Sequence, residues 1–185
     1  LDFYECLKIK HLGFGEFSEM IIQEIYISIC NKGDLIIDGG ANRGRHTFPM
    51  SEIVGKSGIV LAFEANPYLE EDLRNYIKFN SITNIKTFNC ALSSKTGQFQ
   101  FHILKDDGRS SLRISKDLQK DQTKLINIYS TTIDKEMQKY KNNKLRFIKL
   151  DLEGGEYDCL KGSIKELIKS KPLVILENAR LNSEE

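Results

Sequence analysis

Asp34-Leu35-Ile36-Ile37-Asp38-Gly39-Gly40-Ala41-Asn42-Arg43-Gly44 is the stretch on which the fold turns. Its apolar run lies between two carboxylates without a polar break, which suits a parallel strand buried on both faces. The glycines that follow predict a turn whose backbone a ligand can approach, at the carboxyl end of a strand, where open parallel sheets bind their ligands. Upstream, Phe17, Met20, Ile21, Ile25 and Ile29 recur at steps of three and four and stop at Gly33, predicting an amphipathic helix over 16–32. Downstream, the pattern predicts a helix from about Arg45 to Val54 and a buried strand from Gly58 to Phe63. Asn66 then caps, and Pro67 opens, a helix to about Phe79 with Leu69, Leu73, Tyr76 and Ile77 inward.

Ile85 to Ala91 reads as a third strand, so strand and helix alternate, the mark of an open parallel α/β sheet with right-handed crossovers. Between 97 and 131 the period changes to two: Phe99, Phe101 and Ile103 alternate with polar residues, and Leu125 to Tyr129 does the same, predicting an antiparallel insertion. A helix at 132–140, a strand at Leu145–Leu150, a helix at Glu156–Ser170 and a strand at Leu173–Leu176 follow. The expected organisation is one domain over 1–185, with an N-terminal helical region at 1–33 and the insertion at 97–131.

The 185 residues are 40% hydrophobic and 29% charged, an ordinary globular balance that excludes a disordered or collagen-like chain. With 27 basic and 26 acidic residues the net charge is +1, and no single-sign block supplies the field of a nucleic-acid binder. The apolar stretch Ile21–Ile29 is interrupted by Gln23 and Glu24 and falls short of the roughly 20 residues of a membrane span. Leu1, Asp2 and Glu5 do not resemble a basic, apolar signal sequence. Cys6, Cys30, Cys90 and Cys159 are scattered with no CxxC pair, as expected of reduced thiols in the cytoplasm.

Two ligands compete for the glycine turn. Gly39-x-Ala41-x-x-Gly44, with Glu64 further on to hold a ribose, is a degenerate dinucleotide fingerprint and would make the chain an NAD-type oxidoreductase. Asp38 favours the other ligand. A pyrophosphate beside that carboxylate is repelled, at a cost on the order of kcal/mol for like charges a few ångströms apart. A cation is attracted, and S-adenosylmethionine carries a sulfonium, an ammonium and no phosphate. On this reading Asp38 takes the amino-acid end and Glu64 the ribose hydroxyls, with a carboxylate needed for the ribose rather than for the fold.

Asp38-x-Gly40-Ala41-Asn42-x-Gly44, Phe63-Glu64-Ala65-Asn66-Pro67, Ala91-Leu92-Ser93, Ser110-Ser111-Leu112 and Ile148-Lys149-Leu150-Asp151-Leu152-Glu153-Gly154-Gly155-Glu156 follow one another in this order. Together they resemble the FkbM family of methyltransferases over roughly 34–178, with Ala65 where the family commonly has proline. The resemblance implies a Rossmann-like class I methyltransferase fold with sheet order 3-2-1-4-5, S-adenosylmethionine as methyl donor, and an oxygen of a sugar, glycan or other small molecule as acceptor. It implies donor contacts from Asp38, Gly40, Ala41, Asn42 and Gly44, from Glu64 and Asn66, and, toward the adenine, from the backbone around Ala91 and Leu92. A class I sheet has two further strands, and nothing after Leu176 reads as either, so the chain is also expected to be able to act as a cofactor-binding domain without turnover. The exposed edge of its fifth strand would invite pairing into a homo-oligomer.

Asp151, at the end of the fourth strand, is the expected catalytic residue, as base or acceptor-orienting group. Glu153 and Glu156 follow it, the latter suited to a helix start. Ser110 and Ser111 end a polar loop that could close as a lid. His46 is a weaker candidate base, and His11, His46 and His102 lack metal-ligand spacing. Glu177 and Asn178 with Asp151 would form an oxygen-rich trio, but ordinary strand-end polarity is the expectation, with no metal. The first test is calorimetric: S-adenosylhomocysteine is expected to bind and NAD is not, and binding of NAD alone would return the oxidoreductase.

Overall fold

The computed structural model of the chain describes residues 14–104, 110–111 and 123–177. His11, Cys6, the loop 105–109, Leu112 and Asn178 lie outside the described residues, as does the first part of the N-terminal region.

Helix α1 (Phe14–Ile29) leads into β1 (Leu35–Gly39), α2 (Thr47–Val54), β2 (Ile59–Phe63), α3 (Pro67–Phe79) and β3 (Ile85–Phe88). After the inserted strands come α4 (Ile133–Glu136), which tightens into a 3-10 turn (Met137–Tyr140), then β8 (Leu145–Leu150), α5 (Glu156–Lys161), α6 (Ile164–Ser170) and β9 (Leu173–Leu176). The main sheet has the order β3-β2-β1-β8-β9, every neighbour parallel, which is the expected 3-2-1-4-5. The inserted strands are β4 (Ala91–Leu92), β5 (Gly97–Leu104), β6 (Ser110–Ser111) and β7 (Thr123–Thr131), in the order β4-β7-β5-β6. β5 runs antiparallel to both β6 and β7, as the alternating pattern requires.

The period of two sorts the central strands into two cores. Ile36, Val60, Ala62 and Phe147 pack with Tyr26, Met50, Val54 and Leu73 on one face, and Leu35, Ile37, Leu61, Phe63, Ile148 and Leu150 pack with Ile133, Met137 and Cys159 on the other. Asp38 and Lys149, each two residues beyond a member of the first core, therefore emerge on the face that α1 and α2 cover. Cys30, Cys90 and Cys159 are free thiols, pushed up by burial to about 11, 12 and 12, which suits packing rather than reactivity.

Several boundaries, among them those of α1 (Phe14–Ile29 against the expected 16–32), and two burials differ from expectation. The third strand ends at Phe88 instead of Ala91, because the exposed Asn89 leaves it, its side chain donating to Glu64 O at 3.0 Å, and Ala91–Leu92 join the second sheet beside Ser130 and Thr131. The helix expected at 156–170 breaks at Gly162, where the carbonyl of Ser93 presses against the Cα. Helix α2 starts at Thr47, two residues late, because the turn from Asn42 continues through His46. Tyr76 and Ile21, expected inward, are 54% and 41% exposed; Tyr76 stacks on Phe48 from outside, ring centroids 4.6 Å apart.

Gly162 lets the junction of α5 and α6 pack on the end of β4, since a methyl group there would overlap the Ser93 carbonyl. Gly162→Ala is expected to cost about 2–3 kcal/mol by overpacking, lowering Tm by about 4–12 °C in thermal denaturation. An unchanged Tm would show that the β4 junction yields freely.

A candidate active site at the carboxyl ends of the central strands

The glycine turn is held against three strand ends. Gly40 N and Ala41 N both donate to Phe63 O, at 2.9 and 3.0 Å, and Asp151 N donates to Gly39 O at 3.0 Å. Gly40 has φ 76° and lies so close to Asp151 O that a Cβ would overlap it, so only glycine satisfies both the conformation and the space. Asn42 is also left-handed, φ 50°, and its side-chain oxygen accepts from Arg43 N at 2.8 Å, a local bond that suits asparagine to this conformation. Gly44 lets the turn pass Phe48 and Leu73.

Three carboxylates follow from this geometry. Asp38 is 1% exposed; Thr47 Oγ1 donates to its Oδ2 at 2.6 Å, while its Oδ1 is buried with no partner. Glu64 accepts from Asn42 N and Asn66 N, each at 2.8 Å, one on each oxygen. Burial raises the Glu64 carboxyl above its ordinary pKa against the pull of those two N–H groups, and the charges of Asp38 and Asp151 add to the rise. Asn66 caps α3, its side chain accepting from Tyr68 N at 3.0 Å. Asp151 is a third exposed and has Lys149 Nζ at 3.6 Å. Glu177 adjoins it: burial raises the Glu177 carboxyl, Asp151 adds to the rise, and Lys149 opposes it.

A cavity of about 270 Å³ opens among these groups, lined by Asp38, Gly40, Ala41, Asn42 and Asp151 of the expected residues. Glu64 and Asn66 join it only through the Asn42 clamp, and Gly44, Ala91 and Leu92 do not line it. Leu92 is packed beneath Gly39 in the second core, and Ala91 sits with Phe101 and Ile128 in a third. His46 lines the cavity too, but its ring, like the Glu156 carboxylate, is committed to other partners. His46 has both ring nitrogens engaged, Nδ1 by Tyr26 Oη at 3.3 Å and Nε2 by Glu19, so neither is open to act as a base. Glu156 accepts from Leu152 N at 2.7 Å and Gly154 N at 3.3 Å, fixing the loop after Asp151. Ser110 and Ser111 pair with Ile103 and His102 as a short strand. Among the described residues no group of three or more His, Cys, Asp or Glu is arranged to hold a metal ion, and no helix is long and apolar enough to cross a membrane.

Sequence reasoning missed four contributors to the cavity. Glu19 reaches it from α1, Arg43 and Arg45 from the turn, and Lys149, 3% exposed, from β8. Lys149 had a signal, a charge which with Arg146 interrupts an otherwise apolar buried strand; Glu19 had none.

Residues 38–185 match the model of the methyltransferase FkbM domain. The chain belongs to the FkbM methyltransferase family. The FkbM fold is also seen in a solved structure, methyltransferase FkbM from Methylobacillus flagellatus, which is 17% identical with a TM-score of 0.55, over 83% of this chain and 39% of that one. An rRNA methylase from Streptococcus thermophilus is 8% identical with a TM-score of 0.49, over 86% of this chain and 70% of that one. Fibrillarin from Aeropyrum pernix, solved with natively bound S-adenosyl-L-methionine, is 14% identical with a TM-score of 0.42, over 75% of this chain and 41% of that one. This FkbM chain thus spans about two fifths of the length of the Methylobacillus structure. No curated protein sequence matches it.

The clamp changes what Glu64 is expected to do. Glu64→Gln turns one acceptor into a donor facing an N–H, so it should destabilise the ligand-free protein by about 1–2 kcal/mol, read as a lower midpoint in urea denaturation. An unaltered midpoint would mean that the carboxylate serves the ligand alone.

Proposed function

We propose that this chain binds S-adenosylmethionine at the glycine turn and transfers its methyl group to an oxygen of a sugar, glycan or other small molecule. The observation that carries the reading is Asp38 Oδ1, a buried carboxylate oxygen with no partner on a cavity wall beside Gly40. Buried acceptors are nearly always satisfied, so such an oxygen points to a donor that arrives with a ligand. An ammonium satisfies it; a pyrophosphate does not, which counts against a dinucleotide.

The residues fit the rest of such a donor. Gly40, Ala41 and Asn42 present bare backbone to its amino-acid end. Glu64 has one lone-pair direction left on each oxygen after the Asn42 and Asn66 bonds, enough for two ribose hydroxyls. Asn89 to Leu92, leaving β3 next to Glu64, are the segment assigned to the adenine, through backbone. When bound, the donor supplies a methyl group activated by a sulfonium. The chain's task is then to hold the acceptor oxygen in line and to exclude water. Asp151 lies at the cavity and pairs with Lys149, which supports reading it as the group that accepts a hydrogen bond from the acceptor hydroxyl and takes up its proton.

Asp38→Asn keeps an oxygen for Thr47 and turns an amide N–H₂ toward the cavity. It should weaken S-adenosylhomocysteine binding by about tenfold or more, the worth of a charge-assisted bond, with little change in Tm. Calorimetry and thermal shift measure both, and an Asp38→Asn protein that binds as tightly as the parent would remove the carboxylate from the site. Transfer of label from methyl-labelled S-adenosylmethionine to pooled glycans or small alcohols tests turnover.

A further inference from the structure

Helix α1 lies outside the residues that match the family, yet it puts Glu19 on the wall of the donor cavity. The side chain is fixed in an unusual way. Its Oε2 meets His46 Nε2 and lies 4.0 Å from Arg45 Nε. A carboxylate can only accept here, so Nε2 carries the hydrogen between them. His46 is itself 5% exposed and is closed on its other side by Tyr26 Oη. Burial and the nearby charges of Asp38 and Glu19 push the Tyr26 hydroxyl far up, which keeps its proton in place. Tyr26, His46 and Glu19 form a relay from the first core to the cavity. Both bonds reach Glu19 at Oε2, and no described residue engages Oε1.

An ammonium brings three N–H donors. Asp38 offers one buried oxygen, since Thr47 occupies the other, and Asp151 already faces Lys149. A second acceptor of negative charge is wanted on the same cavity, and Glu19 Oε1 is the open one. We infer that Glu19, held in place by His46 and Tyr26, is a second carboxylate for the ammonium of the donor's amino-acid end, so that α1 completes a cofactor site otherwise built by the family's motif residues. The inference rests on the donor reading above.

The experiment compares two neutral thioethers: S-adenosylhomocysteine, and 5′-methylthioadenosine, which shares the nucleoside but lacks the amino-acid end. In Glu19→Gln the amide oxygen keeps the His46 hydrogen bond and the N–H₂ group faces the cavity, so the relay survives while the charge is lost. Calorimetry should show S-adenosylhomocysteine weakened about tenfold and 5′-methylthioadenosine unchanged within about twofold. Tyr26→Phe, which loosens His46 but leaves the Glu19 charge, should show the same selectivity at about two- to threefold. Equal losses for both ligands in Glu19→Gln would make Glu19 a purely structural residue, and no loss for either would take it out of the site; each overturns the inference. If the parent binds neither ligand, the donor reading itself fails first.

Discussion

The contact between Gly40 and the carbonyl of Asp151 is the constraint from which the site follows. A single methyl group at residue 40 would force β1 and β8 apart at their carboxyl ends. Because it is absent, the turn lies flat on the end of β8, and its two N–H groups reach back to Phe63 on β2. Three strands are thereby tied at one point, and the residue that leaves each of them is a carboxylate or stands next to one: Asp38 before the turn, Glu64 after β2, Asp151 after β8. Parallel pairing brings strand ends to one edge in any such sheet; the close approach sets how near their side chains come.

Burying and gathering carboxylates has an electrostatic cost: desolvation first, and the neighbouring carboxylates second, raise the Glu64 and Glu177 carboxyls. The fold offsets it locally. Glu64 takes two backbone N–H groups, Asp38 a threonine hydroxyl, and Asp151 the ammonium of Lys149. The balance is incomplete at Asp38 Oδ1 alone among the buried carboxylate oxygens of the described residues. A site prepared in this way is negative where the proposed cation would arrive, and the ligand-free fold carries that cost.

The sheet was legible because its evidence is local and periodic. Continuous apolar runs at 35–37 and 59–63, and a nearly continuous one at 145–150 broken by Arg146 and Lys149, mark strands buried on both faces, and the alternation at 99–103 and 125–129 marks the inserted pair. Asp38, Gly40 and Asp151 were legible because each follows a strand directly. What could not be read depends on pairs far apart in sequence. Glu19 meets His46 across 27 residues and no motif links them. Gly162 looks like any helix glycine until Ser93 lies against it. Glu64 was found for a ligand, but its bond to Asn42 across 22 residues, which ties β2 to the turn, leaves no trace in composition or spacing. Ala91 and Leu92 show the converse: they stand in a recognisable order, yet their side chains belong to two cores.

The chemistry proposed also bears on where negative charge belongs. In methyl transfer the positive charge on sulfur fades as the methyl group leaves, so a carboxylate facing the sulfur would stabilise the starting state more than the transition state and slow the reaction. A carboxylate at the ammonium has no such penalty, because that charge is the same before and after the step. An acidic wall is therefore useful only if it grips the amino-acid end and stops short of the sulfur. On the proposed reading Asp38 would meet that condition, since it is buried at the bottom of the turn and held from α2 by Thr47. Asp151 meets it differently. Lys149 Nζ, 3.6 Å away, partly neutralises its charge, so that on the proposed reading Asp151 would engage the hydroxyl of an acceptor rather than the sulfur.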